Sequence, residues 1–256
     1  MMKTNLLRLF VIAVLGFCSG GSFARECYVD AYNGLDSNDG LSWSYPYKTL
    51  TNAFRNATNF SIIYLRGGQT HDTTNVIAWT NSSVSLLGGY EGTNEAGPGN
   101  FDETAWPTEI RYTNTPINRV FFMTGVSDAV VGRVAISGGR LTNSTTLHLG
   151  AGMYIQNCTN VFIFSTKFTD NTVNLYGAGL ALTNSVATIS GCVVRANTAT
   201  NVVSRFGGGL FAYNSSLQLF DSAIEGNEGG GVGLFLCRSN LFSGCSISSN
   251  IARQYG

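Results

Sequence analysis

A glycine-led unit recurs four times after residue 150. Gly150-Ala-Gly-Met153, Gly177-Ala-Gly-Leu180, Gly207-Gly-Gly-Leu210 and Gly231-Val-Gly-Leu234 each open a stretch that reaches an asparagine, at Asn171, Asn197, Asn227 and Asn250. The first glycine and the asparagine stand 21, 20, 20 and 19 residues apart, and an apolar residue (Phe168, Val194, Ile224, Ile247) precedes each asparagine by three positions. Such a repeat constrains the fold strongly, because units this short bury their apolar sides only against one another.

Within each unit the apolar positions alternate. Met153/Ile155, Leu180/Leu182, Leu210/Ala212 and Leu234/Leu236 follow the glycines; Val161/Ile163, Ala187/Ile189, Leu217/Leu219 and Asn240/Phe242 come next. Period-two alternation means strands with one buried face. Three short strands per unit, with no helical pattern between them, predict a chain that coils, each unit forming one turn of a parallel β-helix. Corresponding residues then stack at ~4.8 Å, Leu on Leu and Asn on Asn. Glycine permits tight corners. An asparagine column satisfies buried backbone groups and bonds to the next asparagine. The frame extends backward through Ala129, Val131 and Ile136, through Val84, Leu86 and Leu87, and through Ile62 to Leu65, with a polar, Gly-rich insertion over 88–109. About seven coils, ~34 Å of stack, are expected.

The two ends read differently. Leu50, Ala53, Phe54 and Ala57 follow helical spacing after Thr49, a fitting N-cap, so a short helix over 49–57 is expected to close the N-terminal end. Gly256 follows Asn250 by the same six residues that separate Gly177 from Asn171. The chain therefore reads as truncated where another coil would begin; an end covered by a partner or by self-association is the alternative. Lys3 and Arg8, the apolar run Leu9 to Phe17 and the small residues Ser22 and Ala24 read as a secretory signal peptide over 1–24. The domain reading is 1–24 signal peptide, 25–70 cap and first coil, 71–256 coils. The mature chain has no transmembrane segment in this reading.

Charge balances at 15 Lys+Arg against 15 Asp+Glu, and charged residues make up only 12%. No basic excess exists to collect phosphates, so nucleic acid is not an expected partner. Five cysteines follow residue 24. Cys192 and Cys245 share a column with Thr166 and Ser222, with one whole coil between the two cysteines, hence ~9–10 Å. A disulfide needs Cα atoms within ~7 Å. Cys158 and Cys237 are read into different columns, and free thiols acting as small fillers are expected.

Chemistry is sparse. Tyr154, Ala181, Phe211 and Phe235 occupy the position after each glycine-led opening and are expected to point outward, as an aromatic column for sugar rings or a protein partner, or simply as an ordinary sheet face. Asp36, Asn38 and Asp39, beside Gly40, form a cluster that suits Ca²⁺, although Asx-rich turns occur without metal. No other cofactor is expected. Asp170, Asp221 and Glu225 fall in three different columns, and His71 and His148 read as loop or surface residues far apart in the frame, so no catalytic residues are assigned. Asn81, Asn143 and Asn214 lie in glycosylation sequons that arise readily by chance here.

The repeats over 150–256 resemble those of polymorphic outer-membrane proteins: Phe168-Thr-Asp-Asn171 matches their Phe-x-x-Asn motif, and Gly207-Gly-Gly-Leu210 approximates their glycine motif. Tyr28-Val-Asp30, Gly34 to Gly40, Tyr47 to Leu50 and Tyr64 to Gly68 are similar to the openings of large secreted bacterial right-handed β-helix proteins. The resemblance implies an all-β, right-handed, single-stranded parallel β-helix, exported to the extracellular space or to a bacterial outer membrane or cell surface. It does not fix a function, since one scaffold carries adhesins, lyases and glycosidases alike. A non-enzymatic stalk or adhesin-like segment binding glycan or protein is expected, with the N-terminal part of a polysaccharide lyase or glycoside hydrolase as the alternative.

Overall fold

The computed structural model describes residues 25–80, 83–94, 97–114, 118–142, 148–200 and 206–252. Residues 1–24, read above as a signal peptide, and Asn81, Asn143 and Gly256 lie outside them. Three parallel sheets run the length of the molecule. The first has eight strands, from Glu26–Val29 to Leu241–Ser243; the second has seven, from Gln69–Thr73 to Ser246–Ser248; the third has six, from Ile77–Thr80 to Val232–Phe235. One coil visits them in turn: Met153–Gln156 in the third sheet, Val161–Phe164 in the first, Lys167–Thr169 in the second. Each strand pairs in parallel with its counterpart one coil on, as in Val161↔Ala187 and Phe168↔Val194. This is a parallel β-helix.

The interior follows from the alternation. Met153, Ile155, Ile163 and Phe168 are fully buried, each above its homologue in the next coil. The sequence reading missed a fourth, two-residue strand after the asparagine. Arg140–Leu141, Thr172–Val173 and Thr198–Ala199 form it, and Leu141, Val173 and Ala199 gather with Ala151 and Ala178 in a small second core. Two residues are too few to display a period.

The capping helix, α1, spans Leu50–Asn56. Thr49 Oγ1 accepts from Asn52 N at 3.2 Å, capping it. Leu50 and Ala53 are buried, and Phe54 packs 4.8 Å from the Trp79 ring, so α1 covers apolar surface that a bare terminal coil would expose. Among the described residues no helix is long and apolar enough to cross a membrane.

The four asparagines form one file, buried at Asn171, Asn197 and Asn227 and half-buried at Asn250. Asn171 Nδ2 donates to Asn197 Oδ1 at 3.1 Å, Asn197 Nδ2 to Asn227 Oδ1 at 3.0 Å, and Asn227 Nδ2 to Asn250 Oδ1 at 2.9 Å. The same oxygens accept the backbone N–H of the preceding asparagine, and the amides also reach carbonyls such as Phe168 O and Val194 O. Hydrogen bonds thus satisfy polar groups that the bend would otherwise strand in the interior.

Two corner columns carry small hydroxyls or thiols. Thr166, Cys192, Ser222 and Cys245 each donate to the carbonyl two residues back, and so do Cys158, Ser185, Ser215 and Cys237. Cys158 and Cys237 therefore share a column, contrary to the sequence reading, with Ser185 and Ser215 between them. The five cysteines from Cys27 onward are free.

Candidate functional site

The outer face of the third sheet displays rings. Phe122, Tyr154, Ala181, Phe211 and Gly233 stand in register in successive coils. The neighbouring outward column reads Thr80, Thr124, Gln156, Thr183, Tyr213 and Phe235. The expected column of Tyr154, Phe211 and Phe235 is corrected in two ways. Phe235 stacks on Tyr213, at 5.8 Å and 17°, and not above Phe211. The reason is glycine: Gly231 sits against Asn250 as Gly209 sits against Asn227, so Gly229-Gly230-Gly231 is the true counterpart of Gly207-Gly208-Gly209. Val232 and Leu234 then take the inward positions, and Leu236 is 61% exposed at the corner. Phe211, for its part, is buried, because Tyr176 stacks on it at 4.6 Å and Phe206 lies edge-on.

A second asparagine file borders this face. Asn157, Asn184 and Asn214 occupy the corner after the third sheet, each with positive φ, which asparagine tolerates better than most residues. Asn184 Nδ2 donates to Asn157 Oδ1 at 3.1 Å and Asn214 Nδ2 to Asn184 Oδ1 at 2.8 Å. All three are exposed. Each amide retains a second N–H and a second lone pair for other partners. The Asn-Cys or Asn-Ser pairs at 157–158, 184–185 and 214–215 were the available sequence signal.

At the upstream end of the face, Arg119 Cζ lies 4.9 Å from the Tyr154 ring and 5.4 Å from Phe122, which stack on each other at 5.6 Å. Burial pushes the Arg119 pKa down, and burial together with the Arg119 charge pushes His148 down. Tyr154 Oη shares a 3.0 Å hydrogen bond with Thr183 Oγ1.

A second feature lies at the corner after the second sheet. Asp170, Arg195, Ala196, Glu225, Gly226 and Ser249 line an open recess of about 420 Å³. Arg195 and Glu225 are register partners on adjacent strands. Asp170 lies two coils before Glu225, ~10 Å along the stack. No single column holds both acids, because Asp170 and Glu225 fill neighbouring positions just before Asn171 and Asn227. Asp221 stays at the corner between the first and second sheets, near Gly244.

The Asp36, Asn38 and Asp39 cluster is engaged by its own loop. Asp36 accepts from Lys48 N, Thr49 N and Thr49 Oγ1; Asn38 Nδ2 donates to Pro46 O; Asp39 Oδ1 accepts from Leu41 N. Among the described residues no three His, Cys, Asp or Glu side chains converge as a metal set. His71 is buried rather than in a loop or at the surface. Its Nε2 lies 2.9 Å from Arg66 O and its Nδ1 has no partner, and burial pushes its pKa down.

Among known proteins, a solved structure titled rhamnogalacturonan lyase is similar at 14% identity and a TM-score of 0.30, over 91% of this chain and 63% of that one. This chain thus spans less than two thirds of that protein's length, and the likeness bears on neither substrate nor reaction. No curated protein matches. The family model described as the right handed beta helix region matches residues 121–256, over the coils that carry both asparagine files. On that match and on the stacked parallel sheets, the chain belongs to the right-handed β-helix family.

Proposed function

We propose that the chain is a non-enzymatic segment of an exported, surface or extracellular β-helix protein, a stalk whose third-sheet face adheres to glycans. The supporting observation is the pairing of outward stacked rings, Tyr213 with Phe235 and Phe122 with Tyr154, with a rim of exposed amides at Asn157, Asn184 and Asn214. Rings offer flat apolar surface to the C–H faces of sugars, and amides and threonine hydroxyls match sugar hydroxyls. A mixed face of this kind suits a glycan better than a protein core, which wants a contiguous apolar patch. Export rests on the sequence of residues 1–24.

The Asp170, Arg195 and Glu225 recess favours a second reading, the N-terminal part of a polysaccharide lyase or glycoside hydrolase. Asp170 and Glu225 stand two coil spacings, ~10 Å, apart along the stack, close to the carboxyl separation that inverting hydrolysis uses. A polysaccharide array probed with the wild-type chain, Tyr213→Ala and Phe235→Ala, with product release followed in parallel, separates the two. The adhesive reading expects retention of intact polymer that falls at least fivefold in each variant. Product release that Asp170→Asn or Glu225→Gln abolishes would establish the enzymatic one.

A further inference from the structure

Among the described residues Arg119 has no carboxylate in an ion pair with it; the ion pairs there are Arg66–Asp30 and Arg111–Asp72. Between Arg111 and Asp221 the sequence holds six Lys or Arg residues and only two acids, Asp128 and Asp170. Asp128 sits at an exposed corner, bonded by Asn160, and Asp170 lines the recess after the second sheet. A guanidinium held against two rings keeps its donors in a fixed plane and presents them as a fork for an oxyanion. The rings beside it belong to the same face as Tyr213, about 10 Å further along the stack, two coil spacings away.

We infer that Arg119, Tyr154 and Phe122 form an anion-recognising subsite, so that the ligand of this face is an acidic glycan whose carboxylate or sulfate meets Arg119 while its ring packs toward Tyr154. The inference rests on the glycan-binding reading and specifies its ligand. Arg119 supplies the charge and the directed donors.

The test is affinity electrophoresis of the full chain through gels carrying polygalacturonate, dextran sulfate or neutral dextran, for wild type, Arg119→Met, Arg119→Lys and Tyr213→Ala. Urea midpoints equal to wild type certify the fold of each variant. Wild type is expected to bind at least one anionic polymer about tenfold more tightly than neutral dextran. Arg119→Met is expected to lose about tenfold, the size of a charge-assisted hydrogen bond, and Arg119→Lys to lose less. Retardation by polygalacturonate alone identifies a carboxylate, by dextran sulfate alone a sulfate. Equal binding by wild type and Arg119→Met overturns the subsite, and if Tyr213→Ala still loses binding the glycan reading survives. Absence of binding to all three polymers overturns both.

Discussion

Gly179 lies against Asn197 so closely that a Cβ on the glycine would meet the asparagine Nδ2 at 2.9 Å. Gly152 and Asn171, Gly209 and Asn227, and Gly231 and Asn250 repeat the relationship at 2.9, 2.8 and 2.7 Å. The two commonest marks of the repeat are therefore one device. The asparagine satisfies the bend, and the glycine leaves room for it.

Gly179→Ala is expected to destabilise the chain by about 2 kcal/mol, since the added methyl meets Asn197 and the Gly209 carbonyl in a packed interior. Gly226→Asn is the matched control. Its φ is +60°, a Cβ added there would meet nothing within 4 Å, and Asp170, Ala196 and Ser249 adopt positive φ at the equivalent corners. That change is expected to cost less than about 0.5 kcal/mol. Urea denaturation of both variants checks the contrast.

Asn197→Ala removes donors to Phe168 O, Arg195 O and Asn227 Oδ1 and the acceptor for Asn171 N. A loss of about 3 kcal/mol is expected, because several buried groups lose partners together. Asn184→Ala, in the exposed file, is expected to cost under about 1 kcal/mol, because water replaces the lost bonds. The same denaturation experiment reads both.

Much of this was legible in the sequence. The Gly-to-Asn spacing and the period-two apolar sites fixed the coil frame, since both arise from contacts that recur in every turn. Phe235 was misplaced because Gly229, Gly230, Gly231 and Gly233 offer several registers, and only the fit of Gly231 against Asn250 selects one. Phe211 was read as exposed because its cover, Tyr176 and Phe206, comes from the variable connection between Asn and Gly. The file of Asn157, Asn184 and Asn214 was not part of the sequence reading, its neighbourhood to the ring face being a property of stacking across coils. Arg195 joined Asp170 and Glu225 for the same reason.

The thiols give a further check. Burial pushes the Cys192 pKa up to about 12, so Cys192 is expected to resist alkylation at pH 8 in the folded protein. The half-buried Cys237 and Cys245 should react first. Residues 25–256 unfolded without reductant should titrate as five thiols; a count of three or fewer would contradict the free-thiol assignment. Cys192→Ser is expected to cost no more than about 1 kcal/mol, because Ser222 and Thr166 fill the same column with the same hydrogen bond.

Acid should loosen the N-terminal end in two windows. Burial alone would raise the Asp30 pKa, but bonds from Asn33 N, Arg66, Asn33 Nδ2 and Tyr32 N hold it at about 2. Its folded pKa is below its unfolded one, so its contribution is full above about pH 4 and is lost as pH falls toward 2, about 2 kcal/mol in all. His71 is kept neutral by burial, so the unfolded chain gains a proton below about pH 6.5 while the folded chain does not, and stability falls from there downward. Urea midpoints across pH 3 to 8 should drop in both windows, and Asp30→Asn should flatten only the lower one.

The rise of the coil is measured most directly by pulsed dipolar spectroscopy between spin labels in one outward column. Thr80, Tyr213 and Phe235 share it, with four strand spacings from Thr80 to Tyr213 and five from Thr80 to Phe235. Distances of about 19 Å and about 24 Å are predicted, one coil of about 4.8 Å separating them. Two distances that do not grow with the number of intervening coils would contradict the stacked solenoid and, with it, both asparagine files and the ring face they border.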